Sequence, residues 1–271
     1  MIAEIDVFGL SIKTFGLFFG LNFVLVGLIA ARRLKELGKP VDWAYEMTFA
    51  ALVGGLIGSR LWWVLDNLDE VEDDVLSGVL GGSGLTWYGG LIGGAIFVVL
   101  WAWRRGILGL GLLDLAATPL ALGYAVGRIG CQVSGDGDYG KPWDGPWAMA
   151  YPDGVVPTDD RVHPTPIYES LAMTIVGLVC WNLRDRLAPG RVFAIYLVGY
   201  GLQRFLVEFV RRNSEVALGL TVAQLLSLAM LVAGTVWLVA TRGARSEGPP
   251  PGAPRRAAPS GGARPARRSA A

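Results

Sequence analysis

One histidine and two cysteines in 271 residues leave little from which to build a metal centre, a disulfide framework or a redox pair. Cys131 and Cys180 both lie in apolar stretches and form no C-x-x-C, so both read as small core residues, Cys131 being set apart only by the motif it adjoins. Charge is scarce as well, at 17% against 52% hydrophobic, which excludes an ordinary soluble surface and points to lipid as the solvent. No nucleotide-binding glycine loop, zinc motif or haem motif occurs, so no cofactor and no metal is expected. A cleavable leader is missing too: Glu4 and Asp6 precede the first apolar run where a basic stretch would stand, and no small-residue cleavage site follows. That run is expected to stay as a helix. With a net charge of +1 no nucleic-acid partner is expected, and the placement of charge carries more than its total.

What is present is long apolar runs. A bilayer core about 30 Å thick takes about 20 residues of helix, and runs of about that length cover 14–31, 47–65, 85–103, 115–133, 164–183, 192–210 and 216–240. The fold expected is all-α, a polytopic bundle of seven transmembrane helices over residues 1–241, with 242–271 a disordered basic tail of Pro, Gly, Ala, Ser and Arg. If the N-terminus lies outside, sixteen of the 24 Lys and Arg fall in cytoplasmic segments and the C-terminus is cytoplasmic. Only five lie outside (Lys13, Lys141, Arg161, Arg211 and Arg212), and the 211–218 turn is the one loop that departs from the rule. The loop from Asp66 to Asp74 holds six acids and no base, as an external loop would. Residues 135–163, rich in Gly, Pro and Asp, are the longest connection and read as an extracytoplasmic lid or docking surface. The tail reads as a topology anchor weakly attracted to anionic lipid, and membrane lipids are the surrounding partner. Gly54, Gly55 and Gly58 in the second run, and Gly89, Gly90, Gly93 and Gly94 in the third, are spaced for close approach of helix backbones.

Charge inside the membrane is costly unless paired or hydrated, so intramembrane ions are candidates for function. Arg60, Arg128 and Arg204 stand on three outward-running helices, each five or six residues short of the outer end, which at about 1.5 Å per residue is about 8–9 Å below the surface. Tyr88, Glu169 and Glu208 share that depth. Independent snorkelling to headgroups accounts for one arginine; three at matched depth with two carboxylates argue for a shared site. Arg204 and Glu208 are also spaced as an i,i+4 pair, although with the base before the acid, the weaker order. Guanidinium binds phosphate bidentately, which suits such a cluster to a phospholipid headgroup.

Four stretches, in order, resemble the bacterial prolipoprotein diacylglyceryl transferase family. They are Gly84-Leu-Thr-Trp-Tyr-Gly-Gly-Leu-Ile-Gly93, Gly127-Arg-Ile-Gly-Cys-Gln-Val-Ser-Gly-Asp-Gly-Asp-Tyr-Gly140, His163-Pro-Thr-Pro-Ile-Tyr-Glu169 and Gly199-Tyr-Gly-Leu-Gln-Arg-Phe-Leu-Val-Glu-Phe209. Gly58-Ser-Arg-Leu61 and Thr14-Phe-Gly16 add two weaker matches, and the resemblance runs over roughly residues 10–240. It implies a bacterial plasma-membrane enzyme that moves the diacylglyceryl group of phosphatidylglycerol onto the lipobox cysteine thiol of a prolipoprotein signal peptide, forming a thioether as glycerol phosphate leaves. Carried over by position, Arg204, Tyr88 and Glu208 are the catalytic candidates. Arg128, Arg60, Glu169, Gly89, Gly90, Cys131 and His163 are the substrate-binding ones, with Arg128 and Arg204 holding the phosphate. The chain departs from the family pattern where Tyr88 replaces a common histidine, Cys131 a common asparagine and Phe15 a common tyrosine. A phenol with an ordinary pKa of about 10 is a poor base near neutrality, so no general base is assigned. His163 reads either as a proton acceptor or headgroup contact, or more plainly as an anchor at the start of its helix. Two rival readings stay open: a lipid or solute transporter, and a divergent relative with another acceptor or no catalysis.

Overall fold

The computed structural model describes residues 1–7, 10–68 and 86–244. The basic tail from 245 onward and most of the acidic loop lie outside the described residues, as do Gly84 and Leu85 of the third-run motif. Seven long helices are described: α1 (Thr14–Glu36), α2 (Asp42–Asp66), α3 (Trp87–Arg104), α4 (Leu110–Ser134), α5 (Thr165–Leu183), α6 (Arg191–Glu208) and α7 (Val222–Ala240). Each falls on one of the expected runs, usually reaching a few residues beyond it. Five of them (α1, α2, α4, α5 and α7) are long and apolar enough to cross a membrane by length and composition. Helix α3 offers a shorter apolar stretch from Tyr88 to Arg104, while α6 holds Arg191, Arg204 and Glu208 within 18 residues.

Aliphatic side chains on the outer faces repeat at helical spacing: Leu21, Val24 and Leu28 on α1, Leu171, Ile175 and Leu178 on α5, Val232, Val236 and Val239 on α7, all exposed. In water such stripes would be costly; facing hydrocarbon they are the expected surface. The inner faces are small instead. Ala30, Ala44, Ala102, Ala117, Ala121 and Ala194 are fully buried, since tight helix contact in lipid rests on close approach of backbones. Helix α4 sits at the middle, packed on α1, α5 and α6, while α7 joins through α6 and α3 packs on α2. At its closest points the α2–α3 contact leaves no room for a Cβ. A Cβ on Gly93 would stand 2.2 Å from the Gly54 carbonyl oxygen, and one on Gly89 2.3 Å from that of Gly58.

The seventh helix begins later than its apolar run, at Val222. Thr221 accepts from the Gln224 backbone N–H at 3.2 Å while the Gln224 side chain accepts from Thr221 N at 3.0 Å, a capping box that sets the start. Before it, Leu218 and Gly219 both take positive φ, 56° and 71°, in a turn.

Two small antiparallel hairpins add to the helical fold. At the N-terminus β1 (Glu4–Val7) pairs with β2 (Leu10–Lys13), and Ile2 N donates to the Val133 carbonyl at 3.0 Å, tying this segment to the end of α4. The long connection 135–163 contains β3 (Met149–Tyr151) and β4 (Thr158–Val162) and has its own core of Tyr139, Tyr151 and Val162, with the two tyrosine rings stacked at 4.8 Å. Burial pushes the Tyr151 phenol up to about 12, and it donates to Gln132 Oε1 at 2.9 Å. The connection is thus an ordered cap over one end of α4, α5 and α6.

At the opposite end of these helices lies a second set of ion pairs. Arg33 meets Asp185 at 2.6 Å, Arg184 meets Glu36 at 2.9 Å, and Arg105 meets Glu46 at 2.5 Å. There Asp114 accepts from the backbone N–H of Gly190 and Phe193 at 2.7 and 2.9 Å, satisfying the first turn of α6.

Candidate active site

Helical periodicity decides which side chains meet. On α6, Arg204 and Glu208 fall one above the other, and the chain just beyond carries Arg211 onto the same side, 3.7 Å from Glu208. On α5, Thr165 and Glu169 form the matching pair of positions. Arg128 enters from α4, six residues before its end.

Glu169 is completely buried and lies at the centre. Its Oε1 accepts from Arg204 Nη1 at 2.6 Å and stands 3.7 Å from Arg211 Nη1, and its Oε2 is 2.6 Å from Arg128 Nε. The Arg128 contact is a close charge pair without hydrogen-bond alignment, as is that between Glu208 Oε2 and Arg204 Nη2 at 3.1 Å. Glu208 Oε1 accepts from Asn213 Nδ2 at 2.5 Å and from the Thr221 hydroxyl at 2.9 Å.

The third carboxylate comes from the capping loop. Gly135 and Gly137 take positive φ, 63° and 93°, a conformation open to glycine, and these two turns bring Asp138 back over the helix ends. Asp138 pairs through Oδ2 with Arg128 and accepts from Arg211 Nη2 at 2.6 Å through Oδ1. Its backbone carbonyl accepts from the Thr165 hydroxyl at 2.6 Å and from Arg211 at 3.2 Å. Burial alone would raise the Asp138 carboxyl, but the guanidiniums of Arg128 and Arg211 outweigh it and hold it down to about 2. Gly140 follows because a Cβ there would meet the Val210 carbonyl at 2.4 Å; Lys141 N donates to that same oxygen at 2.7 Å.

Three arginines and three carboxylates therefore form one network, with aromatic walls. Arg128 lies over the Tyr124 ring at 4.9 Å, and Tyr124 meets Tyr200 edge to face at 5.5 Å. Among the described residues, Arg128 Nη2 and Arg204 Nε hold no protein hydrogen bond, and both side chains keep some exposure, so guanidinium N–H groups remain for a bound anion.

Of the residues singled out in the sequence, Arg128, Arg204, Glu169 and Glu208 are in direct contact. Cys131 borders them, its sulfur accepting from Arg128 at 3.9 Å. Arg60 is not in this network of described residues; it lies over the Trp63 ring at 4.5 Å on its own helix. Tyr88 is 46% exposed on α3 and within electrostatic reach of Tyr200. Gly89 packs directly on α2, and a Cβ on Gly90 would make ordinary contact there at 3.6 Å. His163 stands apart from the arginines, stacked on Trp143 at 4.4 Å with its Nδ1 3.2 Å from the Tyr168 hydroxyl, and burial lowers its pKa. Its backbone carbonyl accepts from Gly140 N at 2.8 Å and Thr165 N at 2.8 Å at the approach to α5, and its ring lines a groove beside that helix.

Arg211 and Asp138 were not among the candidates. Arg211, 8% exposed, stood in the one loop that broke the positive-inside pattern, and that exception was its signal. Cys131, Asp136 and Asp138 bring potential metal-ligand atoms within 4.8 Å of one another, but both Asp138 oxygens are taken by arginines.

A family profile described as prolipoprotein diacylglyceryl transferase matches residues 3–240. The phosphatidylglycerol–prolipoprotein diacylglyceryl transferase of Clostridium tetani is 30% identical over 234 residues, covering 84% of this chain and 93% of its own. Those of Methylococcus capsulatus and Bordetella avium are each 32% identical, over 88% and 86% of this chain and 94% and 91% of theirs. The chain belongs to the prolipoprotein diacylglyceryl transferase family.

Proposed function

We propose that this protein transfers the diacylglyceryl group of phosphatidylglycerol to the cysteine thiol of a prolipoprotein signal peptide, in the outer leaflet of a bacterial plasma membrane. The observation that carries the reading is the convergence of Arg128, Arg204 and Arg211 around buried Glu169 at one end of the helices. An arginine cluster of that kind suits a phosphate ester. In the reaction a sulfur–carbon bond forms at the glyceryl carbon and its carbon–oxygen bond to phosphate breaks. The bonding electrons pass to the phosphate oxygen, where Arg128 and Arg204 stabilise the growing charge. Glu169 and Glu208 hold the arginines in place, and Arg60 and Tyr88 belong to the flank formed by α2 and α3. The thiol gives up its proton as it attacks, either to Tyr88 as phenolate or to the departing phosphate; loss of activity in Tyr88→Phe would implicate the phenol, and retained activity would leave the phosphate as acceptor.

All seven helices span the bilayer in this reading, with the N-terminus outside and the C-terminus in the cytoplasm. Supporting it, the set of Arg33, Arg105 and Arg184 lies at the end opposite the buried network, as the positive-inside rule requires. The test is complementation. In a bacterium depleted of its own transferase, the chain should restore the gel or mass shift of lipidated lipoproteins, and Arg128→Ala and Arg204→Ala should each abolish it while inserting normally. Retained shift in both variants refutes the arginine site, and failure of the well-expressed wild-type chain refutes the activity.

A further inference from the structure

Beside the arginine network the same two helices form a second feature. The positions next to the network stripe, Gln203, Val207 and Val210 of α6 and its extension and Tyr168 and Ala172 of α5, line an open groove of about 480 Å³ roofed by Trp143 and Trp147. Apart from Gln203 and the His163 ring, which stacks on Trp143 with its Nδ1 against the Tyr168 hydroxyl, it is largely apolar and aromatic. Trp147 Nε1 donates to the Tyr168 hydroxyl at 2.7 Å, which leaves that edge of the groove satisfied.

Gln203 is the exception. Its side chain is 8% exposed, and neither its Nε2 nor its Oε1 has a hydrogen-bond partner among the described residues. A buried amide left without partners is disfavoured, and native structures retain few of them without a reason. The unmet requirement is specific: one donor and one acceptor, side by side, on the wall of an apolar groove. A hydrocarbon tail offers neither. A lipid ester offers acceptors alone. A peptide unit in an extended chain offers both, its C=O accepting from Nε2 and its N–H donating to Oε1.

Continuity fixes where such a chain would lead. Gln203 and Val207 immediately precede Arg204 and Glu208, so a segment lying along the groove arrives at the network about one helix face away. Building on the transferase reading above, we propose that this α5–α6 groove seats the apolar part of the acceptor polypeptide in extended form, with Gln203 pairing to one of its peptide units and so bringing the cysteine to the arginines. Gln203 is a positioning residue, and the groove is the acceptor subsite.

The test uses the full chain in vesicles containing phosphatidylglycerol and a synthetic peptide with an apolar stretch ending at cysteine. A photoreactive phenylalanine analogue replaces one apolar residue of the peptide. Irradiation should attach the peptide to Ala172 or Leu206, located by mass spectrometry. Gln203→Leu should cut attachment, and raise KM for the peptide, by about tenfold, while KM for phosphatidylglycerol stays as in the wild type. Thermal stability of this variant should not fall, because an unpartnered amide is replaced by hydrocarbon of similar size. Ala172→Trp, which fills the groove, should likewise block attachment. Peptide attached elsewhere, a photoreactive diacyl lipid that labels the groove in its place, or unchanged attachment in Gln203→Leu each overturns the inference. Attachment is read without turnover, so the two proposals separate: a chain that takes peptide in the groove yet transfers nothing refutes the transferase reading, and one that transfers while peptide attaches elsewhere refutes the subsite.

Discussion

Replacing Arg211 by glutamine removes one of three cations from a network that holds three carboxylates. Its partners define the loss. Asp138 gives up a charge-assisted hydrogen bond at 2.6 Å and a second bond to its carbonyl, and Glu169 and Glu208 each lose a guanidinium at 3.7 Å. Breaking a buried pair by deleting one partner costs about 3–5 kcal/mol, since the other charge is left uncompensated. Asp138 is partly exposed, which argues for the lower end, about 3 kcal/mol. If the network must be intact to hold the leaving phosphate, that cost appears in the transition state as a loss of about a hundredfold in kcat/KM. The assay is the initial rate of diacylglyceryl transfer by purified protein in vesicles containing phosphatidylglycerol. Charge balance supplies a second arm. Asp138→Asn in the Arg211→Gln background removes one carboxylate for the one lost cation, so the double variant should regain about tenfold over Arg211→Gln alone, about 1.4 kcal/mol, and the two substitutions should be strongly non-additive. Loss of no more than about fivefold in Arg211→Gln is what a surface ion pair would give, and together with additive effects in the double variant it would refute the network.

Two further outcomes follow from the geometry. Gly93→Ala places a Cβ 2.2 Å from a backbone oxygen and 2.8 Å from the Gly58 Cα, neither of which yields, so it should cost about 3 kcal/mol and sharply reduce the folded protein recovered by size-exclusion chromatography; Gly16→Ala, with open space around it, should be neutral. The Asp138 carboxyl, held at about 2 against an ordinary 3.8, contributes stability that is full above about pH 4 and lost as pH falls toward 2; discounted for exposure this is about 1 kcal/mol, measurable as a drop in unfolding temperature that Asp138→Asn abolishes.

The helices were legible because a helix that crosses a bilayer needs about 20 apolar residues, a demand met by local sequence alone, and five of the described helices meet it in full. Their ends were less so. The 216–220 stretch is as apolar as the helix after it, and only the Thr221/Gln224 capping box separates them. Within the site, Arg128, Arg204, Glu169 and Glu208 stood out since ionised groups in a span need a reason. Asp138 and Arg211 did not, because in a loop a charge needs none. What makes them members of the network is the pair of glycine turns at 135 and 137 and the stitching of Gly140 and Lys141 to His163 and Val210, which are long-range and have no periodicity to read. For Arg60, matched depth along separate helices says nothing of azimuth; its guanidinium lies over the Trp63 ring at 4.5 Å.

The balance of the network also bears on how it works. Three guanidiniums held close without carboxylates would repel one another and lose hydration on burial, a combined cost no apolar packing around them offsets. With Glu169, Glu208 and Asp138 interleaved, the arginines are assembled before any lipid arrives, so binding does not have to organise them. On the proposed reading, attraction for the headgroup would then arise from oriented N–H groups that the carboxylates leave unused, rather than from net charge. If the proposed phosphate site is right, it should discriminate by geometry, favouring an anion that pairs with oriented guanidinium N–H groups over one that merely approaches the cluster. This is also why Asp138 matters despite lying outside the helices, since it joins Arg128 to Arg211 from the loop side, as Glu169 does from within the bundle, and closes the network.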